Sequence, residues 1–268
     1  MDLSRIVKQL VPVLGLAALS GCASLPGAVV TGARGVPGFD TRDYPGRAAM
    51  EAWIAESPYR WVGFYLPAPC YTGTTWQGRR AEVEGMGWGT ALLFVGEQDW
   101  GEIAGPSETP APAGPARCTQ GNLSAEQGAL DAAAASGAAR AEGFSAGTVI
   151  YLNVERVENV SARLIQYVRG WMEGVLAEGR YVPGLYAHER NAEALYAVAG
   201  AAFALHAVGR TPRLWVAGAA AFDLTRSPAE SPAPWATAWQ GAFDRDETWG
   251  GVTLRIDQSV ARTTSPSR

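Results

Sequence analysis

The segment AGTVIYLNVERV, residues 146–157, ends an apolar run with two polar residues. The run from Val149 to Leu152 has the unbroken apolar character of a strand that is buried on both faces. Asn153 and Glu155 then follow two positions apart, so their side chains point to the same face of that strand. In a closed β/α barrel, inward-pointing residues at the carboxyl end of a strand line the mouth, where such folds carry their binding sites. The segment therefore indicates both a barrel strand and a candidate site.

On both sides of this segment the chain alternates apolar strands with helical patterns five times. After residue 212 the alternation gives way to three strands whose connections are too short or too rich in proline for helices. Five β-α units followed by three strands predict an irregular TIM-type α/β barrel, with an open doubly wound sheet as the alternative. The expected strands are 36–40, 61–66, 90–96, 149–155, 181–188, 213–218, 235–241 and 252–260, and the expected helices are 45–55, 77–86, 124–140, 160–178 and 189–207.

The amino terminus has the pattern of a bacterial export signal. Arg5 and Lys8 precede the apolar residues 10–19, LVPVLGLAAL, a run too short to span a bilayer. The motif LSGC at 19–22 resembles a lipobox, in which the cysteine is lipidated and becomes the first residue of the mature protein. An ordinary signal peptide with a chance cysteine is the alternative. We therefore expect a signal peptide at 1–21, lipidated Cys22 with a tether at 22–35, a barrel at 36–261 and a disordered tail at 262–268.

The lipobox implies an exported protein that lipid chains anchor to a membrane. Ala23 follows the cysteine, and a residue other than aspartate there resembles the outer-membrane sorting signal of diderm bacteria. In such a cell the anchored domain would face the periplasm. Export to an oxidising compartment also permits a disulfide between the two remaining cysteines, Cys70 and Cys118. Two unpaired thiols are the alternative, since the sequence does not give the distance between them.

The composition excludes several classes of partner. A 268-residue chain with 47% hydrophobic residues can build one large core, and its formal net charge is −4. Nucleic-acid binding needs clustered Lys and Arg, which the sequence does not show, so we expect none. Only two histidines occur, and neither Cys70 nor Cys118 has metal-ligand spacing, so we expect no metal. Phosphate-binding loops and the G-x-S-x-G elbow are also absent from the sequence, and we expect a monomer without a cofactor.

Three carboxylates fall at positions that a closed barrel would bring to one cavity. Asp40 ends the first strand, and Asp257 lies late in the eighth, which neighbours the first on closure. With Glu155 they form the candidate catalytic set, because glycoside hydrolysis needs one carboxyl group to protonate the leaving oxygen and another to stabilise or attack the anomeric carbon. Burial would raise the pKa of such an acid and keep it protonated near neutral pH. Solvated loop acids or ion pairs are the alternative.

Aromatic residues near the strand ends are candidates for sugar binding. Flat rings suit the apolar faces of sugars, and tyrosine hydroxyls can hold acids in place. Rings of this size are also common in protein cores, so we expect only some of them at the mouth. The predicted substrate-binding residues are Asn153, Tyr65, Tyr186, Trp215 and Trp239.

An ordered set of motifs spans residues 36–261. The motifs are GFDT (38–41), VGFYL (62–66), GWGTALLFVGEQ (87–98), AGTVIYLNVE (146–155), YVPGLYAH (181–188), LWVAG (214–218) and RID (255–257). In this order they resemble the bacterial glycoside-hydrolase-like domain of uncharacterised function that is related to the family 25 glycoside hydrolases, the Chalaropsis-type lysozymes. Those lysozymes have a barrel of five β-α units and three further strands, which agrees with the alternation described above.

The resemblance implies a function in the cell wall. Family 25 lysozymes cut the β-1,4 bond after N-acetylmuramic acid in peptidoglycan. Their first-strand aspartate matches Asp40, and their fourth-strand Asp-x-Glu matches Asn153 and Glu155, with the glutamate as general acid. Asn153 thus stands where those lysozymes have the aspartate. Its amide cannot ionise, but it can hydrogen-bond an acetamido group or orient Glu155. We therefore expect a lipid-anchored protein that acts on or binds peptidoglycan-type glycan, with a catalytically inactive glycan-binding or structural envelope lipoprotein as the alternative.

Overall fold

The computed structural model describes residues 34–99, 118 and 120–268. The expected signal peptide at 1–21, Cys22 and most of the tether lie outside the described residues. No helix in the described part of the chain is long and apolar enough to cross a bilayer.

Eight strands close into one barrel, in which each strand pairs with its neighbours in chain order. The first seven strands are parallel, and the eighth closes the barrel by pairing antiparallel to both the seventh and the first. This architecture confirms the irregular TIM-type barrel and rules out the open sheet. The strands are β1 Val36–Asp40, β2 Trp61–Tyr65, β3 Gly89–Val95, β4 Val149–Val154, β5 Val182–His188, β6 Arg213–Ala217, β7 Ala238–Trp249 and β8 Val252–Ala261.

Five helices follow the first five strands and pack outside the barrel. Helix α4, Ala162–Glu178, begins where the side chain of Ser161 accepts a hydrogen bond from the backbone N–H of Leu164 at 3.1 Å. It ends at Gly179, whose φ of 78° is the left-handed conformation that glycine adopts without steric cost. The helices are α1 Arg47–Glu56, α2 Arg80–Gly85, α3 Ala125–Ala141, α4 Ala162–Glu178 and α5 Glu189–Leu205.

Large aromatic side chains fill the barrel interior below the mouth. The ring of Trp215 meets Trp61, Tyr151 and Tyr186 edge to face, with centroids 5.3, 6.0 and 5.3 Å apart. Trp61 has room because Gly38 lies beside it, and a Cβ on that glycine would come within 2.1 Å of the indole. Below the mouth, the barrel interior is therefore a packed core.

The last two strands extend beyond the barrel as a two-stranded ribbon. The prediction ended the seventh strand at residue 241, whereas β7 continues to Trp249. Register shifts between Gln240 and Ala242 and between Ala242 and Arg245 bend the strand where it leaves the barrel. The sequence did not indicate this extension, because the exposed residues 243–246 lack the apolar alternation that marks a half-buried strand.

The expectation of a disordered tail at 262–268 is wrong. Ser267 is fully buried, and its backbone N–H donates to the carbonyl of Thr90 at 3.1 Å. Its carbonyl accepts from the N–H of Val149 at 2.7 Å, and its hydroxyl accepts from the N–H of Leu92 at 2.8 Å. The tail therefore satisfies backbone groups at the amino-terminal ends of β3 and β4 that would otherwise be buried without partners.

The two remaining cysteines form a disulfide. Cys70 and Cys118 are bonded, with Cα atoms 4.9 Å apart. Cys70 lies in the loop after β2, and Cys118 lies just before the short 3-10 turn Gln120–Asn122 that leads towards α3. The bond therefore fixes the loop after β2 to the chain that enters α3.

Candidate active site

The carboxyl ends of the strands surround a cavity of about 170 Å³. Asp40, Glu155 and Asp257, the three predicted catalytic acids, all line it. The other lining residues are the predicted Asn153, Tyr65, Tyr186 and Trp215, together with Leu93, Arg156, His188, Ala217, Gln240 and Phe243.

Asp40 and Asp257 form a pair across two antiparallel strands. The register of β1 and β8 places them directly opposite each other. Asp257 was predicted late in the eighth strand, and it reaches the mouth from the middle of β8, because β8 runs antiparallel and extends beyond the barrel. Gln240 lies between the two acids, and its Nε2 donates to Oδ2 of Asp40 at 2.7 Å and to Oδ2 of Asp257 at 3.3 Å. One buried amide therefore joins the two carboxyl groups.

Each acid of this pair also accepts a second hydrogen bond. The hydroxyl of Tyr65 donates to Oδ1 of Asp40 at 2.7 Å. The backbone N–H of Asp244 donates to Oδ1 of Asp257 at 2.7 Å. Asp244 has a φ of 53°, and this left-handed conformation occurs within the irregular part of β7. The bend in β7 therefore serves the site, because it brings a backbone donor to Asp257.

The environment of the pair favours a bound proton. Burial first, and then the charge of Asp257, raise the pKa of Asp40 to about 8, against the hydrogen bonds from Tyr65 and Gln240 that lower it. Burial also raises the pKa of Asp257, while the N–H of Asp244 lowers it. Two interacting carboxyl groups in one buried site lose their protons in separate steps, so the pair holds one proton near neutral pH.

Glu155 follows β4 directly and is partly exposed at the mouth. Its backbone N–H donates to Oε1 of Gln98 at 2.9 Å, and Nε2 of Gln98 donates to the carbonyl of Asn153 at 2.9 Å. These bonds fix the end of the strand. Burial raises the pKa of Glu155, a hydrogen bond from Asn153 lowers it, and the charge of Asp257 raises it. A carboxyl group with a raised pKa at an open cavity is suited to donate a proton.

Asn153 is 6% exposed and points into the cavity beside Glu155. Its Oδ1 has no hydrogen-bond partner among the described residues. An aspartate here would add a negative charge next to Glu155, whereas the amide leaves burial as the main cause of the raised pKa.

The prediction for Trp239 is wrong. Its side chain is fully buried away from the cavity, packs edge to face on Phe222 and donates from Nε1 to the carbonyl of Gly218 at 2.7 Å. Alternation along β7 places Ala238 inside the barrel and Trp239 outside it.

Gln240 is the site residue that the sequence reasoning missed. Its signal was a single amide at the end of the otherwise apolar strand WATAWQG, residues 235–241. His188 also lines the cavity; its Nδ1 accepts from the N–H of Arg190 at 3.1 Å, and burial lowers its pKa. That histidine is therefore neutral at physiological pH.

We expect the Asp40→Asn substitution to stabilise the protein at pH 8 by on the order of 1–3 kcal/mol. The pKa of Asp40 is higher in the folded protein than in the unfolded chain. At pH values between the two pKa values, the folded protein therefore holds a proton on Asp40 that the unfolded chain has lost. The free energy of unfolding consequently falls as the pH rises from 4 to about 8. The substitution should flatten this decline in urea unfolding curves. Asp246→Asn, at an exposed ribbon position, should leave the decline unchanged. If the free energy of unfolding of Asp40→Asn declined with pH as steeply as that of the native protein, the raised pKa of Asp40 would be wrong.

Comparison with solved structures identifies proteins with the same fold. An uncharacterised protein of B. stearothermophilus is 18% identical, with a TM-score of 0.58 over 85% of this chain and 96% of that chain. The spore cortex lytic enzyme SleM of Clostridium perfringens is 12% identical, with a TM-score of 0.54 over 86% and 68%. The Tat-secreted protein Rv2525c of Mycobacterium tuberculosis, in complex with L-tartrate, is 16% identical, with a TM-score of 0.50 over 85% and 95%.

Sequence comparison identifies the family. No curated protein sequence matches the chain significantly. The family model described as the Rv2525c-like, glycoside hydrolase-like domain matches residues 51–261 and confirms the resemblance seen in the motifs. Asp40 precedes the matched range, so its place in the site rests on its position at the end of β1. The chain belongs to the family of Rv2525c-like, glycoside hydrolase-like domains.

Proposed function

We propose that this protein binds peptidoglycan-type glycan in the barrel cavity and hydrolyses it, with Glu155 as the proton donor. The observation that carries the proposal is the convergence of Glu155 with the Asp40–Asp257 pair in one cavity. All three acids have raised pKa values. Glycoside hydrolysis needs one protonated and one ionised carboxyl group at the same bond.

The three acids divide into two roles. Glu155 gives its proton to the glycosidic oxygen as the bond to the anomeric carbon breaks. The Asp40–Asp257 pair, which keeps one negative charge when it holds one proton, stabilises the positive charge that develops on the sugar. Water supplies the hydroxyl group of the new reducing end, and its remaining proton restores Glu155. Tyr65 and Gln240 position the pair and do not exchange protons with the substrate.

The fold neighbours support glycan as the substrate class. SleM is described as a spore cortex lytic enzyme, and it shares the barrel with this chain at low sequence identity. The exposed ring of Phe243 lies on the rim of the cavity, where it can stack on a sugar face.

Placement in the cell envelope is a further part of the proposal. The export signal and Cys22 would anchor the mature protein by lipid, in the outer membrane facing the periplasm if the cell is diderm. The disulfide between Cys70 and Cys118 fits an oxidising compartment. Rv2525c, which shares the fold, is described as Tat-secreted.

A glycan-binding module without hydrolysis is the second candidate, and Asn153 favours it. In the related lysozymes the position of this amide belongs to an aspartate, and an amide cannot stabilise positive charge as a carboxylate does.

We expect the Asn153→Asp substitution to increase hydrolysis of purified peptidoglycan by at least about tenfold. The new carboxylate would raise the pKa of Glu155 further and add negative charge beside the reacting carbon. Released muropeptides, quantified by chromatography with mass spectrometry, measure the effect. Asn153→Leu, which removes polarity without adding charge, is the control. If Asn153→Asp binds peptidoglycan and releases no more than the native protein, the amide does not limit the reaction.

Glycan binding at the mouth is tested by sedimentation with insoluble peptidoglycan. Phe243→Ala should weaken retention by about threefold or more, because a stacked ring contributes on the order of 1 kcal/mol. Leu130→Ala is the matched control, since Leu130 is also an exposed apolar residue, 59% accessible, but lies on α3 away from the cavity. Equal retention of both variants would argue against binding at this rim.

A further inference from the structure

The amino-terminal end of the barrel, opposite the cavity, carries a group of arginines that come from separate parts of the sequence. They lie at the starts of the parallel strands or at the end of antiparallel β8, and register brings these positions to one face. We call this face the basal face. Its arginines are Arg34, Arg60, Arg180, Arg210, Arg213 and Arg262, all exposed except Arg213, which is half-buried.

Among the described residues, none of these six arginines forms a side-chain ion pair with an aspartate or a glutamate. Nη1 of Arg60 donates to the carbonyl of Ser57 at 2.8 Å, and Nε of Arg262 donates to the carbonyl of Ala236 at 3.0 Å. Two others contact acidic oxygens: Nη1 of Arg213 donates to the main-chain oxygen of Arg268, and the backbone N–H of Arg180 donates to Oε2 of Glu178 at 3.0 Å. The charges of the other four arginines therefore have no acidic partner in the described part of the fold.

The acids at this end do not offset the arginines. Glu84, Glu178 and Glu230 each pair with a different arginine, respectively Arg268, Arg140 and Arg226. Glu56 and Glu142 remain at the ends of α1 and α3, and neither carboxylate forms an ion pair with an arginine of the described residues. The chain has a net charge of −4 as a whole, so this positive face opposes a larger negative charge elsewhere.

Two exposed apolar side chains lie on the same face. Trp235 is 42% exposed just before β7, and Leu205 is 71% exposed at the end of α5. The carbonyl of Pro234, next to this tryptophan, accepts from Nη2 of Arg262 at 3.1 Å. Tryptophan beside arginine is typical of surfaces at the boundary between lipid and water, where the ring enters the headgroup region and the cation meets phosphate.

The chain from Cys22 enters the barrel on this face. Strand β1 begins there at Val36, and the N–H of Gly35 donates to the carbonyl of Arg226 at 3.0 Å. The 14 residues from Cys22 to Val36 span at most about 45–50 Å when fully extended. A lipid on Cys22 would therefore hold the start of β1 within this distance of the membrane.

We propose that the basal face docks on the anionic headgroups of a phospholipid bilayer, so that the cavity at the opposite end faces away from the membrane. The presence of the protein at a membrane in the cell rests on the proposed lipid anchor. The affinity of the basal face for anionic headgroups does not depend on that anchor. An orientation of this kind would present the open mouth to the cell wall and not to the bilayer.

Vesicle binding of the full chain tests this inference. The native protein should bind vesicles of phosphatidylglycerol and phosphatidylcholine more tightly than vesicles of phosphatidylcholine alone. Replacing Arg34, Arg180 and Arg210 by glutamate should weaken binding to the anionic vesicles by at least about a hundredfold, since each basic residue near such a surface contributes about fivefold and each glutamate adds repulsion. All three side chains are exposed, and none forms an ion pair with an aspartate or glutamate among the described residues. Added salt should reduce the native preference, because it screens exposed charges.

The matched control replaces Arg47, Arg163 and Arg190 by glutamate, which changes the net charge equally at the opposite end of the helices. Equal loss in both triple variants would overturn the inference, and so would a native protein that binds a DNA duplex as tightly as the anionic vesicles. Cys22→Ser distinguishes the two proposals. If it keeps the preference for anionic vesicles, docking stands even if no lipid is found on Cys22; if it loses the preference, docking fails.

Discussion

The Glu155→Gln variant is expected to release muropeptides from purified peptidoglycan about 10²–10⁴ times more slowly than the native protein. Glutamine keeps the shape of the side chain but has no proton to give to the leaving oxygen. The raised pKa of Glu155 indicates that the neutral form already fits this site, so the substitution should preserve the fold. Chromatography of the soluble digest with mass spectrometry measures the release, and thermal unfolding measures the stability.

Glu158→Gln is the matched control for this experiment. Glu158 lies three residues further along, is about half exposed and pairs with Arg156 and Arg190 on the surface. Its loss should leave the release of muropeptides unchanged, since exposed ion pairs contribute little. Release by Glu155→Gln at the native rate, with a normal unfolding curve, would refute the role of Glu155 as proton donor.

Replacing Cys70 and Cys118 together by alanine is expected to lower the free energy of unfolding by about 4 kcal/mol at 25 °C. The disulfide joins positions 48 residues apart, and removing it frees a long loop in the unfolded chain. Urea unfolding, followed by tryptophan fluorescence under oxidising conditions, measures the change. Loss of the bond also releases the loop after β2 from the chain that enters α3.

A reducing agent provides the control for the disulfide. It should lower the stability of the native protein towards that of the double variant, and it should have no effect on the double variant itself. Identical unfolding curves for native protein and double variant under oxidising conditions would show that the bond does not contribute to stability.

The barrel and its three acids were predictable because their signals are local. The alternation of apolar strands with helical patterns recurs along the chain, and the spacing of Asn153 and Glu155 turns both side chains to the same side at the end of β4. Asp40 was found because it stands where the first strand ends. Each of these inferences requires only the period of a single strand and the closure of the barrel.

The remaining features depend on register between distant segments. Gln240 reaches Asp40, 200 positions earlier in the chain, only because β7 and β8 close the barrel with their particular bend. Trp239 points outward for the same reason, since one step along β7 exchanges the inner and outer faces. Ser267 has no apolar character, and its burial follows from the backbone groups that β3 and β4 present to it. Patterns within one segment do not contain this information.

The most direct test of glycan recognition by the barrel cavity is a crystal structure of Glu155→Gln with a peptidoglycan tetrasaccharide. The substitution prevents turnover and keeps the shape of the site. We predict a sugar bound across the Asp40–Asp257 pair, with an acetamido group near Asn153 and a ring against Phe243. If the folded protein, at a saturating concentration of the tetrasaccharide, bound it elsewhere or kept the cavity empty, glycan recognition by this cavity would be contradicted.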